Sequence, residues 1–303
     1  MYDIVIIGGG AAGMSAAIYS ARSGMQTLVI EALSVGGQMN YTYEVDNYLG
    51  VLDNPTGTDL SMRMAEHVKK FDVRFTTEKV RSIEDCDKKV KRVVTLKNVY
   101  ETRAVIFATG ANPRKLGVEG EDRFYGMGVS YCATCDGAFF KGQDVCIVGG
   151  GNTAFEDALY LARFSRNVYL IHRRDTFRAA GKIVESVKNH ERIKIITDTV
   201  IDKINGDTTV SDIDILNVKT GEKANLEVSA VFVAVGRIAN SELAGRYVKL
   251  NNAGFIVTDR EMQTNISGVY AAGDVRDTPL RQVITAASDG AIAATSAINY
   301  ING

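Results

Sequence analysis

Asp3-Ile4-Val5-Ile6-Ile7-Gly8-Gly9-Gly10-Ala11-Ala12-Gly13 decides how this chain folds. The apolar run is the length of a buried strand, and Met14 to Ser23 after the glycines has a helical pattern. Gly8, Gly10 and Gly13 satisfy G-x-G-x-x-G, which allows a tight turn, close approach of a pyrophosphate to the helix N-terminus and close helix–strand packing. The next apolar run, Thr27-Leu28-Val29-Ile30, ends in Glu31, where an acidic residue takes the hydroxyls of an adenosine ribose. The plainer reading is a glycine turn in an ordinary α/β unit. The order strand, glycines, helix, acid favours a dinucleotide site.

The pattern recurs. Asp144-Val145-Cys146-Ile147-Val148 reads as a strand, Gly149-Gly150-Gly151-Asn152-Thr153-Ala154 gives G-x-G-x-x-A, and Phe155 to Phe164 is helical in pattern. The second strand of this unit, Asn167 to Ile171, ends in His172-Arg173-Arg174, with Arg178 one helical turn further on. Arginines accommodate a 2′-phosphate where an acid would bond a free hydroxyl, so this site is expected to prefer NADPH to NADH. The competing reading is a solvated basic helix start. Ala104 to Gly110 and Ala230 to Gly236 are strands ending in small-residue turns, so the two units look like an internal repeat.

Between them lies Tyr131-Cys132-Ala133-Thr134-Cys135-Asp136-Gly137. Cysteines at this spacing fit on one helical turn, within reach of a disulfide, and Asp136 is a neighbouring proton carrier. A zinc half-site is the bland alternative, yet the other cysteines, Cys86 and Cys146, and the three histidines, His67, His172 and His190, are scattered, so no metal is expected. Cys146 reads as a small buried hydrophobe and Cys86 as part of an exposed, charged turn. Two nucleotide sites with a redox pair between them imply an electron path from NADPH through an FAD-type cofactor to the disulfide.

Composition limits the other classes. At 303 residues there is room for two domains, and 46% hydrophobic with 23% charged residues describes a soluble globular chain. A net charge of −1 gives no electrostatic case for nucleic acid. No apolar run is long enough for a membrane span, and the N-terminus has no secretion-signal pattern, so a cytoplasmic location is expected. Gly36-Gly37-Gln38 and Val45 to Gly50 show no regular period. Arg281 to Ile298 reads as a small-residue helix, suited to close packing or to lying against a planar ligand.

Taken together, these residues closely resemble the low-molecular-weight, bacterial-type thioredoxin reductases over nearly the whole chain. The resemblance implies an α/β fold of two Rossmann-like, three-layer dinucleotide-binding domains, that of a class II pyridine nucleotide-disulfide oxidoreductase. Residues 1–113 and 245–303 would form a discontinuous FAD domain, and 114–244 an NADPH domain carrying the cysteines. FAD contacts would come from Gly8, Gly10, Gly13, Glu31, Gly36, Gly37, Gln38, Asn47, Ala108, Thr109, Gly110, Asp274, Arg281, Gln282 and Val283. NADPH contacts would come from Gly149, Gly151, Asn152, Thr153, Ala154, His172, Arg173, Arg174, Arg178 and Gly236.

By the same resemblance, Cys135 takes electrons from the flavin, Cys132 attacks the disulfide of thioredoxin and Asp136 shuttles the proton. A helix starting near Cys132 would lower its pKa, and burial would raise that of Asp136. A domain rotation about linkers near Ala111–Gly120 and Gly236–Gly245, and a homodimer, are also implied. The chain departs from the family at Ala11 and Ala12, where proline is usual in the first glycine loop, at Met127, where a partner-docking arginine is common, and in Gly236 to Asn240, which lacks a proline. The alternatives are a reductase of another redoxin (glutaredoxin-like or a peroxiredoxin system), a ferredoxin-driven relative, or a flavoprotein that senses redox state without turnover.

Overall fold

The computed structural model describes residues 1–42, 44–53 and 55–303. Its chain begins with β1 (Tyr2–Ile7), α1 (Ala11–Arg22) and β2 (Thr27–Glu31). α2 (Gly57–Val68) starts on a capping box, in which Thr56 Oγ1 accepts from Asp59 N at 3.1 Å and Asp59 Oδ2 accepts from Thr56 N at 3.3 Å. Helix starts need such acceptors because their first N–H groups have no partner within the helix. β3 (Val73–Thr77), β4 (Val80–Glu84), β5 (Lys91–Thr95), β6 (Val99–Phe107) and β7 (Ala111–Pro113) follow. The middle of the chain forms β8 (Val129–Ser130), α3 (Ala133–Asp136), β9 (Asp144–Val148), α4 (Asn152–Leu161), β10 (Asn167–Ile171), α5 (Gly181–Lys188) and β11 (Ile193–Ile196). β12 (Thr199–Gly206), β13 (Val210–Asn217), β14 (Lys223–Glu227), β15 (Ala230–Val233), β16 (Arg237–Ala239), β17 (Val269–Ala271) and α6 (Val283–Asn302) complete it.

The described residues divide into two compact units, Met1–Asn112 with Ile238–Gly303, and Pro113–Arg237. In the first, β3, β2, β1, β6 and β17 are parallel neighbours, and β5 and β4 extend the sheet antiparallel from β6. Alternate residues of β1 enter different cores. Ile4 and Ile6 pack with Ala16 of α1 and Ala293 of α6, whereas Val5 and Ile7 pack with Ile83, Val93 and Val248. Both faces are therefore covered, which is why the strand reads as continuously apolar rather than alternating. Each such side chain contributes about 1.5–3 kcal/mol on burial.

The second unit repeats the plan. β11, β10, β9, β15 and β8 are parallel, Val145 and Ile147 face Phe155 of α4, and Cys146 and Val148 face Ile201 and Ile213 of the antiparallel sheet β12-β13-β14.

The chain passes between units at 112/113 and 237/238, where β7 pairs with β16. The second passage comes earlier than the 244/245 division expected from the sequence. Thr109 Oγ1 donates to Asn240 O at 2.7 Å, Asn240 Nδ2 donates to Thr109 O at 2.9 Å, and Ser241 Oγ donates to Gly254 O at 2.5 Å. These bonds tie residues 240 and 241 into the first unit.

Several local readings are corrected. Cys86 is buried in the core with Ile83 and Val93, not exposed, because Asp85 takes φ +54° and turns the chain inward. Gly37–Tyr41 forms a short 3-10 helix where no period was visible. Of the two readings of α6, close packing is seen at Gly290, where a Cβ would lie 2.0 Å from Ala12 O of α1. Among the described residues no helix is long and apolar enough to cross a membrane.

Candidate active site

The first glycine turn has two kinds of glycine. Gly8 stands at φ +112° with a would-be Cβ 2.3 Å from Ala108 O, and a Cβ on Gly13 would fall 1.9 Å from Gly8 O. These two are required by the protein's own backbone. Gly10 differs: the nearest atom to its would-be Cβ is Gly36 O, at 3.9 Å. It opens instead on a space at the start of α1, bounded opposite by Gly37, whose own Cβ would come no nearer than 3.9 Å to Gly10 Cα. A helix N-terminus with a bare backbone beside it is suited to a pyrophosphate, so the residues present fit a dinucleotide.

The other first-unit candidates gather around this turn. Glu31 Oε2 accepts from Gly9 N at 2.7 Å and Oε1 from Leu33 N at 3.0 Å, so the acid holds the loop. Gly36 N donates to Gly9 O at 2.9 Å, joining the two glycine turns. Gly36 itself is fixed by crowding, since its Cβ would meet Asn40 and Ser61 at 2.4 Å. Gln38 Nε2 donates to Asn112 Oδ1 at 2.8 Å and Asn47 Nδ2 to Gln282 Oε1 at 3.2 Å. Ala108, Thr109 and Gly110 follow β6, with Gly110 at φ +69°. Asp274 lies in a single 3-10 turn, Gly273–Val275, and Gln282 caps α6, which starts at Val283. Arg281 therefore precedes the helix rather than opening it, and its guanidinium stacks 4.3 Å from the Phe255 ring centroid.

The second turn follows the first. A Cβ on Gly149 would meet Ala234 O at 2.5 Å and Ala154 Cβ at 2.6 Å, whereas one on Gly151 would meet nothing within 4 Å. Asn152 and Thr153 begin α4 beside this opening. Asn152 Oδ1 accepts from Ala180 N at 2.8 Å, and Gly150 O accepts from Arg178 N at 2.8 Å. These bonds lace the segment before α5 onto the glycine turn, placing Arg178 in an irregular loop rather than on the helical turn expected. Arg173, Arg174 and Arg178 are exposed. Burial, followed by the charges of these three arginines, holds His172 below the usual histidine range despite a hydrogen bond from its ring to the Thr176 backbone that opposes the shift. A cationic patch thus stands beside an open helix start, which fits a phosphorylated dinucleotide. Gly236, at φ +111°, lies beyond β15.

The cysteines are joined as a disulfide with Cα atoms 5.3 Å apart. Cys132 is the N-cap of α3, and both Cys135 N and Asp136 N donate to its carbonyl, at 3.2 and 3.1 Å. The helix expected here is a single turn continued by a 3-10 turn, Gly137–Phe140, so it contributes little macrodipole. Asp136 is half-buried and accepts from Ser130 Oγ at 2.5 Å. Just upstream, Glu121 is almost fully buried and accepts from Leu116 N, Gly117 N and Tyr131 Oη at 2.8, 2.7 and 2.9 Å. Burial and this carboxylate push the Tyr131 phenol up. On α4, burial raises Asp157 to about 6, with Glu156 adding and Arg237 opposing. Among the described residues no group of three or more His, Cys, Asp or Glu could hold a metal ion. Sequence reasoning missed Ser130 and Glu121, whose only signal was proximity to the cysteines.

Comparison with known proteins agrees with this arrangement. The profile of the family described as pyridine nucleotide-disulphide oxidoreductase matches residues 2–290. The thioredoxin reductase of Peptoclostridium acidaminophilum is 44% identical over 307 residues, covering 99% of this chain and 97% of its own. The crystal structure of thioredoxin reductase from Streptococcus pyogenes superposes with a TM-score of 0.94 at 42% identity, covering 100% of this chain and 98% of its own. That of Lactococcus lactis thioredoxin reductase, in its FR conformation, gives 0.68 at 43% identity over 100% and 99%. The chain belongs to the pyridine nucleotide-disulphide oxidoreductase family and, within it, to the thioredoxin reductases.

Proposed function

We propose that this protein is an NADPH-dependent thioredoxin-disulfide reductase whose working group is the Cys132–Cys135 pair. The observation that carries the reading is the disulfide itself, held on one turn beside Asp136 in the unit whose glycine turn is flanked by arginines. The glycine turns of the first unit would hold FAD, which when bound would supply the two-electron relay between NADPH on the second unit and the disulfide.

The chain's own residues do the rest. Gly151, Asn152 and Thr153 present backbone to the pyrophosphate, Gly149 and Ala154 close the turn behind them, and Arg173, Arg174 and Arg178 receive the 2′-phosphate. Reduction opens the disulfide to two thiols. The Cys132 thiolate attacks a sulfur of oxidised thioredoxin, and the Cys135 thiolate then displaces thioredoxin from the mixed disulfide, reforming the pair. Asp136 gives and takes the proton. Because nucleotide and cysteines share one unit, both are presented in turn by rotation about the two chain passages, 112/113 and 237/238. The enzyme works as a cytoplasmic homodimer.

Trapping tests the reading. Reduced Cys135→Ser, mixed with oxidised thioredoxin, should accumulate a mixed disulfide that peptide mapping places at Cys132. No adduct at all would remove thioredoxin as the partner and leave another redoxin to be tried.

A further inference from the structure

Ser130 stands at the end of β8, only 3% exposed and fixed in register opposite Phe232 of β15. Its hydroxyl meets three groups of the redox segment. Oγ lies 2.5 Å from Asp136 Oδ2, accepts from Cys132 N at 3.0 Å, and lies 3.3 Å from Cys132 O. A serine hydroxyl has one proton to give and two lone pairs. The 2.5 Å contact is the length of a hydrogen bond to a carboxylate, so with Asp136 ionised the proton points there. If Asp136 takes up a proton, its own O–H can donate to Ser130 Oγ and the serine proton can turn to Cys132 O. Both states are satisfied without moving a heavy atom.

We propose that Ser130 is a positioning residue for the thiol–disulfide step, a rotor whose hydroxyl swings between Asp136 and the Cys132 carbonyl and keeps carboxyl and cysteine aligned while the proton moves. This rests on the reductase reading above and adds to it a residue outside the cysteine motif. No net chemistry is required of the serine, because it keeps its own proton and changes only the acceptor to which it points. Other charged groups surround the segment: α4, packed on α3, carries Glu156 and Asp157, and Arg237 donates to Tyr131 O at 3.4 Å. They are common to wild type and variant, so a difference between the two reports on Ser130.

The experiment compares flavin-loaded wild type, Ser130→Ala and Ser130→Thr. In thioredoxin turnover Ser130→Ala should lower kcat roughly 10-fold with KM for thioredoxin held within about 2-fold, since a positioning loss falls on the chemical step. The limb of the kcat–pH profile that depends on Asp136 should move to higher pH, because a carboxylate deprived of a donor keeps its proton longer. Ser130→Thr should restore both. A kcat loss with an unmoved profile, or no loss, overturns the proposal. A second measurement needs no protein partner: the pH profile for iodoacetamide alkylation of the reduced pair should move in Ser130→Ala. If wild type fails to turn over thioredoxin yet this profile moves, the partner assignment falls and Ser130 keeps its role. An unmoved alkylation profile removes the role whatever the partner. Should Ser130→Ala fail to fold, Ser130→Gly, which also removes the hydroxyl, takes its place with the same expectations.

Discussion

Arg276 and Asp289 form a two-pronged ion pair, Nε to Oδ2 at 2.7 Å and the second guanidinium nitrogen to Oδ1 at 3.2 Å, with side chains only 14% and 10% exposed. Asp289 Oδ2 also accepts from Gly273 N at 3.1 Å. The pair thus ties α6 to the turn that carries Asp274, and removal of the acid would leave a buried guanidinium uncompensated. Asp289→Ala is expected to destabilise the apoprotein by about 3 kcal/mol, read by urea unfolding, and to loosen FAD.

The two glycines of the first turn should separate folding from binding. Gly13→Ala drives a Cβ into Gly8 O and should prevent folding of the first unit. Gly10→Ala meets only open space, so its apoprotein melting temperature should stay within about 2 °C of wild type while FAD affinity falls at least about 10-fold. Equal loss of stability in both variants would contradict the division.

Glu78 sets an acid limit on stability. Hydrogen bonds from Thr95 and Tyr100, with smaller ones from Asn98 and Thr76, outweigh burial and hold its carboxyl down at about 2. A folded-state pKa below the unfolded one means stability present above the unfolded value, near 4.5, and lost as pH falls through about 2. Glu78→Gln should cost about 1 kcal/mol at pH 7 after solvent screening. The difference should vanish near the acid end in denaturant titrations at stepped pH.

Arg173 and Arg174 are expected to set nucleotide choice. The double variant Arg173→Ala/Arg174→Ala should raise KM for NADPH roughly 10- to 100-fold, as loss of charge-assisted bonds to a phosphate predicts, with NADH unaffected. A parallel loss with NADH would make these residues structural.

The strands and glycine turns were legible because both obey local rules. Ile4 to Ile7 of β1, Leu28 to Ile30 of β2 and Ala104 to Phe107 of β6 are buried on two faces and so are continuously apolar, and Gly8 and Gly13 are dictated by backbone distance. What escaped depends on the third dimension. Cys86 sits among charged residues in sequence, and only the left-handed Asp85 turns it inward. Arg178 reaches the second glycine turn through its amide, which no spacing rule reports. Arg276 and Asp289 are polar residues with no periodic signature, and Ser130 looks like any strand-end serine.

The central claim is that electrons pass from NADPH through Cys132 and Cys135 to thioredoxin, and steady-state NADPH consumption by the FAD-loaded protein tests it most directly. Turnover should appear on adding oxidised thioredoxin, should strongly favour NADPH over NADH, and should disappear in both Cys132→Ser and Cys135→Ser. Thioredoxin-dependent turnover that survives loss of either cysteine, or a flavin that NADPH cannot reduce, would contradict the account.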